Sequence, residues 1–192
     1  MPVFEAKKKI RRQAKESRTL WADQAGPDAG ASLAGKFLEN AVLAGTTGPV
    51  AGYWPMSDEI NVRPLMETLH QRNLEIALPV VVGAEQPLVF RRWTPGLSLE
   101  EGSFSTRHPA ADQPDVTPGM LLVPLLAFDE NGMRLGWGGG FYDRTLEALR
   151  AEAPVLAVGV AYHGQKVDHV PHSSTDQPLD WIVTDKQAQE VR

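Results

Sequence analysis

The sequence predicts an α/β fold, in which apolar strands alternate with amphipathic helices along the chain. Residues 74–82 form an apolar run with one charged residue, which is typical of a strand covered on both faces. A second apolar run, residues 120–128, is followed by a glycine-rich segment and then by apolar residues at helical spacing. With 192 residues, the chain fits one domain, 1–192, with a sizeable core.

The predicted elements begin with two helices. Apolar residues at helical spacing predict one helix over residues 3–24 and a second that follows a Gly-Pro-Asp turn and ends near Gly45. Residues 50–54 are predicted to form the first strand. A third helix is predicted to begin at Pro64, because proline is favoured in the first turn of a helix.

The rest of the chain is predicted to hold more strands, one long loop and a helix that follows the glycine-rich segment. The further strands are predicted over residues 74–82, 87–93, 120–128, 153–162 and 181–184. Residues 94–118 contain repeated proline and glycine without a sustained period. A segment of this length without regular structure is usually a functional loop or a lid.

The composition narrows the possible functions. The chain has no cysteine, which excludes disulfides, iron–sulfur clusters, thiolate zinc sites and a cysteine nucleophile. Its net charge of −5 argues against a general nucleic-acid binder. The N-terminal segment lacks the apolar core of a secretory signal, and the longest apolar run, about ten residues, is too short to span a bilayer. We therefore expect a cytoplasmic protein with neither a membrane nor a nucleic-acid partner.

The most informative stretch is residues 134–144, Arg-Leu-Gly-Trp-Gly-Gly-Gly-Phe-Tyr-Asp-Arg. It places four glycines within five positions, which is typical of a loop that needs positive φ or close approach to bare backbone. A strand, a glycine loop and a helix N-terminus in this order favour a phosphate site. Asp143, in the first turn of the predicted helix, is placed to favour the helix dipole or to hold a magnesium ion.

A second interpretation of this stretch is a turn that only allows a strand and a helix to lie close together. The two best-known phosphate motifs do not decide between these interpretations, because neither is present here. The Walker pattern is absent from the chain, and the dinucleotide fingerprint fails because Phe141 takes the position of its third glycine.

Two other places carry candidate ligand-binding residues. Lys7 and Arg11 are four residues apart on the first predicted helix, so they share a face. That basic face suits an anionic small molecule, and a solvated basic surface is the alternative. Glu59 follows the first strand, and open α/β sheets bind ligands at the carboxyl ends of their strands. The alternative for Glu59 is an ordinary exposed loop carboxylate.

Taken together, these residues resemble those of the 5-formyltetrahydrofolate cyclo-ligase family. Residues 134–144 are similar to its phosphate-binding motif, residues 7–11 to its N-terminal K-x-x-[LI]-R, and residues 53–59 to its substrate segment. Further blocks match in order at residues 77–79, 93–96, 123–124, 127–129, 158–162, 176–180 and 182–184. Ordered blocks along the whole chain make this resemblance more specific than any single motif.

The resemblance implies a three-layer α/β/α sandwich with a mostly parallel (mixed) central sheet. It also implies an ATP-dependent ring closure that converts 5-formyltetrahydrofolate to 5,10-methenyltetrahydrofolate and releases ADP and phosphate. In this reaction ATP phosphorylates the formyl oxygen and N10 then attacks the activated carbon. ATP is the implied co-substrate and Mg²⁺ the implied cofactor. A monomer or weak homodimer is expected.

Roles for individual residues also follow from the resemblance. The residues implied to bind ATP are Lys7, Arg11, Arg134, Leu135, Gly136, Trp137, Gly138, Gly139, Gly140, Phe141 and Tyr142. The residues implied to bind the folate are Tyr53, Glu59, Trp93 and Tyr142. Catalytic roles are implied for Lys7, Arg134 and Asp143. The implied metal ligands are Asp143 and Asp176.

Two alternative functions stay open at this stage. Ser105, Thr106 and His108 stand where the family pattern has glycine, isoleucine and glutamate. This difference favours a paralogous ATP-dependent enzyme that acts on a related pterin or another amide. The other alternative is a catalytically silent folate- or nucleotide-binding protein, which would bind ATP without turnover.

Overall fold

A seven-stranded sheet with helices on both faces forms the centre of the protein. The computed structural model describes residues 3–191. The helices are α1 (Val3–Ala25), α2 (Ala29–Glu39), α3 (Ala41–Ala44), α4 (Arg63–Gln71) and α5 (Phe141–Glu152). The strands are β1 (Val50–Ala51), β2 (Ile76–Val80), β3 (Val89–Trp93), β4 (Glu100–Glu101), β5 (Arg107–His108), β6 (Met120–Pro124), β7 (Ala127–Phe128), β8 (Arg134–Leu135), β9 (Leu156–Ala161), β10 (Trp181–Thr184) and β11 (Ala188–Glu190). Across residues 3–191, no helix combines the length and apolarity needed to cross a membrane.

The central sheet is mostly parallel and has an antiparallel strand at each edge. Its strand order is β11-β10-β9-β6-β1-β2-β3. The five inner strands pair in parallel, whereas β3 and β11 pair antiparallel with their neighbours. This arrangement confirms the predicted α/β class and its mixed sheet.

The core consists of two apolar layers, one on each face of the sheet. In β6, Met120 and Leu122 lie in one layer, while Leu121 and Val123 lie in the other. Residues of α2 and α4 close the first layer, and Leu146 of α5 helps to close the second. Since both faces are covered, the inner strands carry apolar residues in succession instead of alternating with polar ones. The three-layer sandwich is therefore confirmed.

Two predicted elements are divided in the structure, and one observed strand was not predicted. The second predicted helix is interrupted at Asn40, whose side-chain oxygen accepts hydrogen bonds from the amides of Val42 and Leu43 at 3.0 and 3.1 Å and begins a new helix. The strand predicted over residues 120–128 ends at Pro124, and its remainder forms β7, which pairs with β8. The edge strand β11 was not predicted, because its Ala-Gln-Glu sequence lacks an apolar pattern.

The long segment over residues 94–118 is more ordered than its sequence predicts. It contains the short hairpin of β4 and β5, with a single 3₁₀ turn at Ser103–Ser105 between them. Phe104 in this turn has a φ of 59° and is exposed, yet its ring centroid lies 5.8 Å from that of Phe141. The tip of this segment therefore contacts the start of α5. Its role as a lid remains a prediction.

The chain reverses its direction across the sheet between β1 and β6. From β1 the chain passes through α4 to β2, and from β6 it passes through α5 to β9, on the other side. Because α4 and α5 cover opposite faces, the topology predicts a crevice where the carboxyl ends of β1 and β6 meet. Open α/β sheets bind their ligands at such a switch point.

Candidate active site

The glycine loop lies between β8 and α5, beside this crevice. Gly138 and Gly140 have φ values of +108° and +67°, which residues with a side chain rarely adopt. A Cβ atom at Gly138 would lie 3.2 Å from Cζ of Arg11, and one at Gly140 would lie 2.7 Å from Nη1 of Arg144. Glycine is therefore favoured at both positions. Trp137, Gly138 and Gly139 are exposed, so the loop presents backbone to a ligand.

Four basic residues of α1 lie along the glycine loop and the crevice. Lys7 Nζ donates to both carboxylate oxygens of Asp176 at 2.6 Å, and Arg11 Nε donates to the carbonyl of Gly136 at 2.9 Å. Lys15 Nζ lies 4.3 Å from the ring centroid of Trp137, and Arg18 follows on the same face of the helix. Lys7 and Arg11 are therefore not part of a purely solvated basic surface, and the contact of this face with a ligand stays a prediction.

A buried arginine joins the glycine loop to the segment that carries Asp176. Arg134 is buried, and its Nη2 donates to Oδ1 of Asp143 at 2.8 Å. Its Nη1 donates to the carbonyl of Gln177, whose own amide donates to the same Asp143 oxygen at 3.0 Å. Because Asp176 directly precedes Gln177, the two implied metal ligands are brought to neighbouring positions.

The chemistry of these two carboxylates fits magnesium bound together with a nucleotide. Mg²⁺ usually takes one or two carboxylates, with substrate phosphates and waters completing its octahedron. Oδ2 of Asp143 accepts no hydrogen bond from residues 3–191. Burial opposes ionisation of Asp176, but hydrogen bonds from Lys7 and Ser173 outweigh it and lower the pKa of its carboxyl. Within residues 3–191, no group of three or more His, Cys, Asp or Glu side chains is arranged to hold a metal without such phosphates.

Glu59 lies inside the crevice and is only 7% exposed. Its Oε1 accepts a hydrogen bond from Nε1 of Trp137 at 3.2 Å, and its Oε2 accepts one from the amide of Met56 at 3.0 Å. Burial raises the pKa of Glu59, although the two donors and Arg18 oppose this rise. Its interpretation as an ordinary exposed loop carboxylate is therefore wrong.

Arg18 and Asp58 support this part of the crevice and were not singled out from the sequence. Arg18 is 2% exposed and donates from Nε and Nη2 to Oδ1 of Asp58 at 3.0 and 2.5 Å. Thr19 donates to the other Asp58 oxygen at 2.6 Å. Helical spacing could have indicated Arg18 from the sequence, because it lies seven residues after Arg11 and so falls on the same face of α1.

The other residues implied to bind the folate, Tyr53, Tyr142 and Trp93, lie in different parts of the structure. Tyr53 is buried and its hydroxyl donates to the carbonyl of Ile60 at 2.9 Å. Tyr142 lies in the first turn of α5, directly after the glycine loop, where burial and then the charge of Glu59 raise the pKa of its phenol. Trp93 is 2% exposed and pairs with Ile76 at the amino end of β2. Its ring centroid lies 6.4 Å from that of Trp54, which follows β1, and the contact of Trp93 with folate stays a prediction.

We expect Gly139→Val to weaken ATP binding about tenfold or more, and folate binding much less. A Cβ atom at Gly139 would lie 2.7 Å from Cε2 of Phe141, so the larger side chain displaces the ring that begins α5 and distorts the loop. Calorimetric titration with each ligand separately measures the two effects. Equal losses for both ligands, or loss of the folded state, would instead indicate that the loop serves packing alone.

The fold and this crevice define a class of protein, the α/β/α sandwiches whose ligand site lies at the carboxyl ends of the central strands. The model of the 5-formyltetrahydrofolate cyclo-ligase family matches residues 3–185. The chain belongs to this family, which is a family of ligase enzymes, and the resemblance found in the sequence is confirmed.

Individual relatives agree with this assignment. The chain is 35% identical over 135 residues to the 5-formyltetrahydrofolate cyclo-ligase of Haemophilus influenzae, covering 68% of this chain and 72% of the relative. It is 36% identical over 140 residues to that of Escherichia coli K12, covering 70% and 76%. The solution structure of the 5,10-methenyltetrahydrofolate synthetase of Aquifex aeolicus superposes with a TM-score of 0.71 at 26% identity, covering 100% of this chain and 94% of that one.

Proposed function

We propose that the protein converts 5-formyltetrahydrofolate to 5,10-methenyltetrahydrofolate in an ATP- and magnesium-dependent reaction. One observation carries this proposal beyond family membership. The hydrogen bond between Trp137 and Glu59 joins the glycine loop to the carboxylate that the resemblance assigns to the folate. A nucleotide on the loop and a pterin on Glu59 would therefore meet in one crevice.

The proposed reaction has two chemical steps. The formyl oxygen first attacks the γ-phosphorus of ATP, so that ADP leaves, the oxygen carries the phosphoryl group, and the formyl carbon is activated. N10 then attacks that carbon and loses its proton, the five-membered ring closes, and the carbon–oxygen bond breaks to release phosphate. Neither step needs a covalent bond to the protein, whose work is to position the reactants and stabilise the transferred charge.

The basic residues at the loop supply that stabilisation in this proposal. Lys7 and Arg11 lie on the side of the loop that faces α1, and their charges suit the β- and γ-phosphates. The exposed backbone from Gly138 to Gly140 approaches the phosphates at the start of α5, where a helix favours anions. Arg134 is already paired with Asp143, so its catalytic role includes holding that carboxylate in place.

Asp143 and Asp176 are the residues that would hold magnesium. The bound ion would neutralise phosphate charge during transfer. A metal ion on Asp176 would compete with Lys7 for the carboxylate oxygens, and a displaced Lys7 would be available to the phosphates. The pairing seen here keeps both groups close to their proposed positions.

On the folate side, Glu59 is proposed to accept hydrogen bonds from the N–H groups of the pterin. Its carboxylate lies at the end of the segment that follows β1, where the crevice opens. The contact between Phe104 and Phe141 supports a position of the segment 94–118 against the same site. The residues that differ from the family pattern in this segment are therefore in a position to influence which folate is accepted.

A single assay tests this function. Purified protein with ATP, magnesium and 5-formyltetrahydrofolate should produce a new near-ultraviolet absorption band, because ring closure extends the conjugation, and ADP should appear in equal amount. Hydrolysis of ATP without this band would point to a paralogue with another acceptor. Absence of ATP binding would contradict both enzymatic functions.

The proposed enzyme is one cyclo-ligase-like domain over residues 1–192 that acts in the cytoplasm as a monomer or weak homodimer. The family match over residues 3–185 and the single sheet that joins β1 to β11 support one domain. Residues 1, 2 and 192 lie outside the described part of the chain. Light scattering of the purified protein over a range of concentrations measures its oligomeric state.

A further inference from the structure

Trp137 belongs to the glycine loop by sequence, but its side chain contacts the folate side of the crevice. Its indole N–H donates to Oε1 of Glu59 at 3.2 Å. Lys15 Nζ and Arg18 Cζ lie 4.3 and 5.0 Å from the ring centroid, within the range of favourable cation–π contacts. The residue remains 44% exposed. Burial of an apolar side chain therefore does not by itself explain this position.

The carboxylate of Glu59 has one fixed oxygen and one whose position depends on Trp137. Oε2 is held by the amide of Met56 at 3.0 Å. Oε1 lies between two donors, since Nη1 of Arg18 is 3.7 Å away, which is beyond hydrogen-bonding distance. That Arg18 nitrogen is buried and has no hydrogen-bond partner among residues 3–191.

Loss of the indole donor would therefore change where Oε1 points. A buried guanidinium nitrogen without a partner is costly, and the nearest carboxylate oxygen is this one. Without Trp137, a small rotation of the carboxylate closes the gap to Arg18 and turns Oε1 away from the loop side of the crevice. Trp137 opposes that rotation and keeps Oε1 available to a ligand.

We propose that Trp137 is a positioning residue that makes the binding of ATP and of the folate mutually dependent. This inference rests on the proposed function and adds a coupling between its two substrates. Phosphates on the loop restrict the backbone between Gly136 and Gly138, which flank Trp137, and thereby fix the indole. The fixed indole in turn fixes Oε1 of Glu59 for the pterin. By thermodynamic linkage, the folate must tighten ATP by the same factor.

The experiment compares three proteins by calorimetric titration. A β,γ-imido analogue of ATP is titrated with magnesium into each protein, with and without saturating 5-formyltetrahydrofolate. Trp137→Phe keeps an aromatic ring and removes the N–H donor. Trp137→Gln removes the ring and keeps an N–H donor four bonds from Cα, as in tryptophan. A residue that only fills space would be replaced better by phenylalanine, and a donor would be replaced better by glutamine.

For the wild-type protein we expect the folate to tighten the analogue about tenfold, within the usual range of coupling between sites. In Trp137→Phe this factor should fall to about one, and Trp137→Gln should restore about a threefold effect, since its donor is more flexible. An unchanged factor in Trp137→Phe, or a factor of one in the wild type, would overturn the coupling. If the wild type forms the methenyl product but shows no coupling, only this inference fails. If it forms no product and binds neither ligand, the proposed function fails as well.

Discussion

Asp143→Asn should abolish turnover, with kcat reduced about 10³-fold or more, while the fold remains intact. The substitution keeps an oxygen that can accept from the amide of Gln177, so the local structure retains that hydrogen bond. It removes the charge opposite Arg134 and the anionic oxygen proposed to bind magnesium. The effect should therefore fall on phosphoryl transfer and much less on packing.

A matched control separates these two effects. Asp180 is also an aspartate paired with an arginine, since its Oδ2 accepts from Arg150 at 2.8 Å and from the amide of Ala157 at 2.7 Å. These contacts tie α5 to β9, so Asp180→Asn should lower the unfolding temperature by several degrees and leave kcat of the folded enzyme nearly unchanged. Activity at ordinary magnesium concentrations in Asp143→Asn would show that the metal assignment is wrong.

The fold could be predicted because the strands and helices carry strong local patterns. The strand at Trp181–Thr184 has the predicted bounds, since its four residues are all buried. Errors occurred where one polar side chain or one proline overrides an apolar pattern, as at Asn40 and Pro124. The strand β11 is held by its pairing with β10, and an exposed edge strand of this kind has no apolar signal in its sequence.

The site was only partly predictable, because its contacts join residues that are distant in the chain. Helical spacing indicated that Lys7 and Arg11 share a face, and the structure extends that face to Lys15 and Arg18. No periodicity indicates that Trp137 donates to Glu59, because these residues are separated by 78 positions. Their meeting depends on the switch point between β1 and β6, which is a property of the sheet order.

Glu59→Gln should weaken the binding of 5-formyltetrahydrofolate about 10²-fold, because hydrogen bonds to a charged group contribute about 1.5–3 kcal/mol each. Glutamine has nearly the same volume, but it has one acceptor oxygen where the carboxylate has two. It can therefore accept a hydrogen bond from Trp137 or from the Met56 amide, but not from both. Its amide N–H groups would also face the N–H groups of the pterin, which need an acceptor. The binding of the ATP analogue without folate should change much less, since that ligand contacts the loop.

The pH dependence of folate binding provides a second measurement on the same variant. Arg18 and Trp137 oppose the rise in the pKa of Glu59 that burial causes, whereas the charge of Asp58 adds to it. Tyr53, Tyr142 and Tyr162 are further titratable groups near this carboxyl, and burial raises the pKa of all three phenols. Since the pKa of an acid is raised, the ionised form is lost as the pH falls through that value, sooner than for an exposed glutamate.

Folate affinity of the wild-type protein should therefore decrease as the pH is lowered from about 8 to about 5, and the decrease should be absent from Glu59→Gln. Equilibrium titration at each pH measures this difference without interference from the chemical step.

Thermal unfolding serves as the control for structure. Replacing the carboxylate removes the cost of burying a charge, but it also leaves one donor unsatisfied, so the unfolding temperature should move little. A parallel decrease in both proteins would assign the titrating group to the ligand or to another side chain, and an unchanged affinity in the variant would exclude Glu59 as the pterin-binding carboxylate.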